Sequence, residues 1–198
     1  MAEWDEDQQW ESDWWGDCSN TFAEESKQIS YAHRMGLINQ PINNGRWPEY
    51  DLAGKSVLDI GGGPTSMLLK TRNGGHREVL DPCKYPNWVH LRYRTAGIQY
   101  TVLAGEDIED VVEKFDEVWI YNVLQHTQDP AKIIANARKV SHLIRIFEWV
   151  DIPPHTGHPH ELKAANLQDW LGGFGTVEQM GENGCNGRAF YGQFITVA

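Results

Sequence analysis

Cysteine is scarce in this chain, and its three copies, Cys18, Cys83 and Cys185, stand far apart with no CxxC pair. That spacing argues against a disulfide framework or a structural zinc site, both of which need paired or clustered sulfur. Basic residues are outnumbered: 17 Lys and Arg face 28 Asp and Glu, a formal net charge of −11. A surface of that sign repels a phosphate backbone at long range, which disfavours a nucleic-acid partner. Arg92, Arg94 and Lys84 come nearest to a basic patch and read as solvated surface charges. No apolar run approaches the roughly 20 residues that cross a bilayer. The first residues are acidic where a secretory leader would be basic. The expectation is a cytoplasmic protein with no membrane association.

The 198 residues, 40% hydrophobic and 23% charged, suit one ordinary globular core. Residues 1–17 are unusual, with seven acids, no Lys or Arg, and four tryptophans (Trp4, Trp10, Trp14, Trp15). The acids suggest a flexible arm, whereas indoles are costly to leave in water. They either pack on the domain surface or form a lid over a ligand. Thr21-Phe22-Ala23-Glu24 has the spacing of a capping box, and Phe22, Ile29, Ala32 and Met35 follow at near-helical intervals until Gly36. A turn-rich connection, 39–54, closes an N-terminal region of residues 1–54. Residues 55–198 form the main domain.

From Lys55 onward strands and helices alternate. Expected strands are Ser56–Ile60, Glu78–Leu80, Ile98–Leu103, Glu117–Tyr121 and His142–Glu148, with a C-terminal hairpin at Thr176–Met180 and Ala189–Val197. A helix from the glycine loop to about Arg72 is expected, with a short one in 84–96 and another before Glu117. Asp129-Pro130 starts a further helix as cap and first-turn proline, and one more lies near Glu161–Leu171. This alternation implies a doubly wound, Rossmann-like α/β sheet with an antiparallel C-terminal strand.

The first expected strand runs into Gly61-Gly62-Gly63. Glycines there let a ligand lie directly on the backbone, as in a nucleotide-cofactor cradle. Asp81, at the end of the second strand, is placed to accept ribose hydroxyls, which suits a dinucleotide and S-adenosylmethionine equally. The third glycine of G-x-G-x-x-G is absent, with Ser66 in its place. Gly105-Glu106-Asp107 puts acids after the third strand, where an adenine amino group is held.

The segments VLDIGGGP (57–64), VLDP (79–82), LAGEDIED (103–110) and FDEVWIYNVLQHTQDP (115–130) resemble the ordered motifs of class I S-adenosylmethionine-dependent methyltransferases. The N-terminal WWGDCSNTFAEESKQISYAHRMGL is similar to segments of small, phage-like members. The resemblance implies seven strands in the order 3-2-1-4-5-7-6 and S-adenosylmethionine as cofactor. It further implies that Asp59 and the Gly61, Gly62 and Gly63 backbone hold the methionine end. Asp81 would take the ribose, Glu106 or Asp107 would lie near the adenine, and Asn122 would sit where cofactor and substrate meet. Rival readings are an NAD-dependent oxidoreductase and a non-catalytic S-adenosylmethionine-binding module.

DNA amino-methylases carry D/N-P-P-Y/F/W after the fourth strand, and this chain has Tyr121-Asn122-Val123-Leu124. A cytosine C5-methylase needs Pro-Cys there, but Pro82-Cys83 follows the second strand. The acidic surface then favours oxygen or nitrogen of a small molecule as methyl acceptor. His126, His158 and His160 are candidate general bases, since imidazole titrates near neutrality. Packing that fixes the loop is the competing role for His126. Asn122 and Gln125 stand where metal-dependent O-methyltransferases carry glutamate ligands, so no metal is expected.

Overall fold

A computed structural model describes residues 2–38, 49–110 and 114–196. Two helices lead the chain, α1 (Ala2–Trp15) and α2 (Phe22–Arg34). A small strand β1 (Tyr50–Asp51) pairs in parallel with β3 (Thr71–Arg72). The main sheet contains β2 (Val57–Ile60), β4 (Arg77–Leu80), β5 (Gln99–Thr101), β6 (Phe115–Tyr121), β7 (Ser141–Val150), β8 (Thr176–Glu182) and β9 (Cys185–Ile195). Its order is β5-β4-β2-β6-β7-β9-β8. Counting these seven strands along the chain gives the expected 3-2-1-4-5-7-6. The first five are parallel, while β9 runs antiparallel to both β7 and β8. Helices α3 (Asn87–Thr95), α4 (Pro130–Val140) and α5 (Ala164–Leu171) connect them.

Side chains alternate across each strand, so one strand feeds two cores. Val57, Val79, Trp119, Tyr121, Phe147 and Trp149 pack on one face with Tyr31, Ala32 and Met35 of α2 and Val89 and Tyr93 of α3. Leu58, Ile60, Leu80, Val118, Ile120, Ile144 and Ile146 pack on the other against Ile133, Ile134 and Ala137 of α4 and Leu167 and Leu171 of α5. Both faces of the sheet are covered, as a parallel sheet requires. A buried ion pair crosses this apolar interior. Glu117 accepts from Arg145 (Nε 2.7 Å, Nη2 3.1 Å), Lys55 (2.6 Å) and the Trp119 indole (3.0 Å). Burial pushes the Glu117 carboxyl up, but those donors outweigh it and hold the group down at about 2. Arg145 also donates to the Met35 carbonyl (2.7 Å), which ties the end of α2 to the sheet.

Several expectations are corrected. No α-helix follows the glycine loop: Gly63–Thr65 and Met67–Lys70 are 3-10 turns, broken at Ser66, whose backbone is extended (φ −51°, ψ 144°). Gly105–Asp110 is likewise 3-10 in form, and 111–113 of the expected helix lie outside the described residues. Residues 39–48 of the turn-rich connection lie outside them too. The acidic arm is helical over Ala2–Trp15, with Trp15 packed against the core and Trp14 half exposed. The capping box does not form. Thr21 donates to Glu25 (2.8 Å) instead of capping the backbone, and Phe22 is 75% exposed. Asp129 does cap α4, accepting from the Lys132 amide (3.0 Å).

Candidate cofactor and acceptor cavity

At the carboxyl ends of β2, β4 and β6 lies a cavity of about 390 Å³. Open parallel sheets place their ligands at this edge. Its floor is Gly61–Gly63, one wall is Asp81 to Cys83 with Gly105 and Glu106, and another is Tyr121 to Thr127 without Leu124. Trp4, Trp10, Glu11, Trp14 and Trp15 of α1 roof it, and Lys27, Gln28 and Tyr31 of α2 close a side.

The glycine loop is shaped by close approach. Gly61 has φ +70°, and a Cβ there would lie 2.5 and 2.6 Å from the two Val123 methyls. Without an α-helix to collect its amides, the loop is held by side chains. Tyr93 donates to the Gly63 carbonyl (2.6 Å) and accepts from the Ser66 amide (2.9 Å). Tyr121 donates to Asp59 (2.6 Å) and accepts from the Met67 amide (3.0 Å). Ser66 also donates to Asp59. Asp59 is fully buried beneath the loop and does not line the cavity, and burial pushes its carboxyl up to about 7.

The other expected cofactor residues separate into two groups. Gly61, Gly62, Gly63, Asp81, Glu106 and Asn122 all line the cavity. Asp107 does not; it is exposed. Asp81 accepts from the Gly63 (3.0 Å) and Cys83 (2.9 Å) amides, and burial raises its carboxyl to about 6. Glu106 accepts from the Gln128 (2.8 Å) and Asp129 (3.1 Å) amides, so it braces the start of α4. Asn122 adopts φ +56°, which Asn tolerates better than most residues, and accepts from Gln125 Nε2 (3.0 Å). Burial pushes the Cys83 thiol well up, which leaves it inert as a nucleophile.

Of the candidate bases, His126 and His158 meet at the cavity, with ring centroids 4.2 Å apart, while His160 lies outside it against the Gln128 carbonyl (3.2 Å). His126 Nδ1 lies 2.8 Å from the Gly157 carbonyl. A carbonyl only accepts, so the proton is assigned to Nδ1 and Nε2 keeps its lone pair. Desolvation holds His126 down at about 4. Desolvation, then His126 and His155, hold His158 at about 3. Both rings are therefore neutral near pH 7.

Several residues of the site were not foreseen. Glu148 of β7 is fully buried and accepts from the Val123 amide (3.1 and 3.2 Å) and the Leu124 amide (3.2 Å), fixing the loop that carries Asn122 to His126. Burial raises it to about 8 against those hydrogen bonds. A carboxylate inside the apolar run of β7 was the signal available in the sequence. Asp7 accepts from the Gly157 amide (2.8 Å), and Gly157 lies so close to Trp10 that a Cβ would meet the indole at 2.3 Å. These contacts latch α1 to the loop after β7. Cys83 Sγ donates to Gln8 (3.4 Å) and adds a tether on the other side. Among the described residues, no group of three or more His, Cys, Asp or Glu side chains is arranged to hold a metal ion, and no helix is long and apolar enough to cross a membrane.

No family model matches the chain. A 93-residue stretch, 44% of this chain, is 31% identical to a tRNA U34 carboxymethyltransferase of Campylobacter hominis and covers 32% of that protein. The match thus spans about a third of the relative's length. Among solved structures, a possible histamine N-methyltransferase from Thermotoga maritima superposes with a TM-score of 0.62 at 10% identity, covering 98% of this chain and 100% of that one. The N-methyltransferase NodS of Bradyrhizobium japonicum, in complex with S-adenosylhomocysteine, superposes with a TM-score of 0.56 at 16% identity, covering 90% and 89%. With its strand order and its glycine loop at the carboxyl edge of β2, the chain has the fold of the class I S-adenosylmethionine-dependent methyltransferases.

Proposed function

We propose that the chain binds S-adenosylmethionine and transfers its methyl group to oxygen or nitrogen of a small molecule. The charge of the cavity carries this reading. Glu11, Glu24, Asp81 and Glu106 line it, against a single Lys or Arg, Lys27, which is paired with Glu24. A dinucleotide would place two pyrophosphate charges in that field, with no α-helix N-terminus behind the glycine loop to receive them. A sulfonium cofactor carries positive charge and suits the same walls. The Tyr31 hydroxyl and His158 Nδ1, both at the cavity, are buried without a well-formed protein hydrogen bond, as expected where a polar ligand completes the set.

In this reading Asp81 takes the ribose hydroxyls with the lone pairs its amide bonds leave free. Glu106 lies at the adenine end, and the Gly61–Gly63 backbone lies along the methionine end. Asp59 acts through the loop, holding Ser66 and Tyr121 in place. Once bound, the cofactor supplies an electrophilic methyl on a sulfonium. The chain's own contribution is to hold the nucleophile in line and keep water out. The roof of α1, residues 2–15 of the N-terminal region 1–54, is the lid that does the latter. His126 and His158 are weak bases, suited to walling the acceptor more than to taking its proton.

The partly matched relative acts on tRNA by name. The net charge of −11 and the indole-roofed cavity favour a small acceptor over RNA. Titration calorimetry with S-adenosylhomocysteine and NAD separates the cofactor readings. S-adenosylhomocysteine is expected to bind and NAD not to. NAD binding alone would overturn the proposal.

A further inference from the structure

Glu11 is the least compensated charge at the cavity. One carboxylate oxygen accepts from the Trp15 indole N–H (2.8 Å). The other lies 3.5 Å from His126 Nδ1, whose hydrogen is already given to Gly157. It pairs with no Lys or Arg among the described residues. Glu11 and Asp81 both line the cavity. One turn further along α1, the Trp15 ring covers the glycine loop, 3.6 Å from where a Gly63 Cβ would be. Burial pushes the Glu11 carboxyl up to about 7, and a cation bound beside it would favour the ionised form. The Tyr31 hydroxyl is a second and independent sign of a ligand. That side chain is 1% exposed and lines the same cavity, and its hydroxyl has no well-formed hydrogen bond, only a loose contact with the Trp149 indole.

We propose that Glu11, presented by α1 among the Trp10, Trp14 and Trp15 indoles, recognises the positive charge of the methyl donor. This rests on the S-adenosylmethionine reading and adds a binding residue to it. Indole faces attract a sulfonium as they do an ammonium, and a carboxylate beside them sharpens the preference. Transfer of the methyl group removes that charge and leaves a neutral thioether. Glu11 then faces no cation, and α1 loses part of its hold on the by-product. The lid is thereby a charge discriminator that favours donor over product.

The test compares dissociation constants of the wild type and Glu11→Gln for S-adenosylmethionine, S-adenosylhomocysteine and a stable analogue with an amine in place of the sulfonium. Glu11→Gln is expected to lose about tenfold or more in affinity for the two charged ligands, the scale of one charge-assisted contact. Its affinity for S-adenosylhomocysteine should change by less than about threefold, which also reports that the variant is folded. Equal losses for all three ligands would assign Glu11 a merely structural role and overturn the proposal, as would no loss for any. A wild type that binds none of them would remove the cofactor reading and this proposal together.

Discussion

Gly61→Ala tests the close approach of the glycine loop to the β6 loop. The residue has φ +70°, where a Cβ costs about 1–2 kcal/mol. That Cβ would also stand 2.5 and 2.6 Å from the Val123 methyls, and Val123 cannot retreat because its amide is held by the buried Glu148. Overpacking of this kind costs about 1–3 kcal/mol. The sum is about 2–5 kcal/mol, or a fall in Tm of roughly 5–15 °C for a domain of this size. Gly54→Ala is the internal control, with φ +86° and nothing within 4 Å of the new Cβ, so only the backbone cost applies. Urea denaturation of both variants and of Gly61→Ala/Val123→Ala isolates the steric part, which the double variant should recover. Affinity for S-adenosylhomocysteine should fall in Gly61→Ala and hold in Gly54→Ala. Equal destabilisation by the two single variants, with no rescue by Val123→Ala, would show that Val123 does not oppose a Cβ at Gly61.

Arg145→Met leaves Glu117 buried with Lys55 and Trp119 alone, and should cost about 3–5 kcal/mol by chemical denaturation. A loss below about 1 kcal/mol would show that the ion pair is dispensable. Glu11, Asp59, Asp81 and Glu148 have carboxyls raised to about 7, 7, 6 and 8, so the stability tied to their neutral forms is complete below pH 4 and lost as pH rises through those values. His126 and His158 act oppositely: stability tied to their neutral rings is complete above pH 6.5 and lost as pH falls toward about 4 and 3. Stability should therefore peak below neutrality. Glu148→Gln should remove up to about 1.4 kcal/mol per pH unit of the fall between pH 7 and 8, and an unchanged slope would count against the buried carboxylate. His126→Ala should retain turnover within about tenfold, whereas a loss of a hundredfold or more would restore it as the general base.

Strand order was legible because each central strand is a short apolar run closed by a turn signal, and alternation with helices leaves few topologies. The Asp129-Pro130 helix start was equally plain, since cap and proline act locally. Legibility failed where distant partners decide the structure. Leu68 and Leu69 suggest a helix after the glycine loop, yet the tyrosines of α3 and β6 hold that segment in 3-10 turns. Thr21 and Glu24 have capping-box spacing, but Glu25 takes the hydroxyl. In the site, Asp81, Glu106 and Asn122 could be placed from motif order, because each ends a strand or opens the loop after it. Glu11 and Glu148 could not, since no motif marks either and the site groups that define their roles, His126 for Glu11 and the Val123 and Leu124 amides for Glu148, lie more than 20 residues away in the chain. Glu148 was at least conspicuous, a charge inside a buried strand. Asp107 and Glu106 are neighbours with opposite fates, because the 3-10 turn aims one at α4 and the other at solvent.

The most direct test of the central claim is a crystal structure of the protein with S-adenosylhomocysteine. Density is expected along Gly61–Gly63, with the ribose at Asp81, the adenine toward Glu106, and the sulfur under α1 beside Asn122. Density for the ligand elsewhere, or a cavity that excludes it while NAD occupies the glycine loop, would contradict that claim.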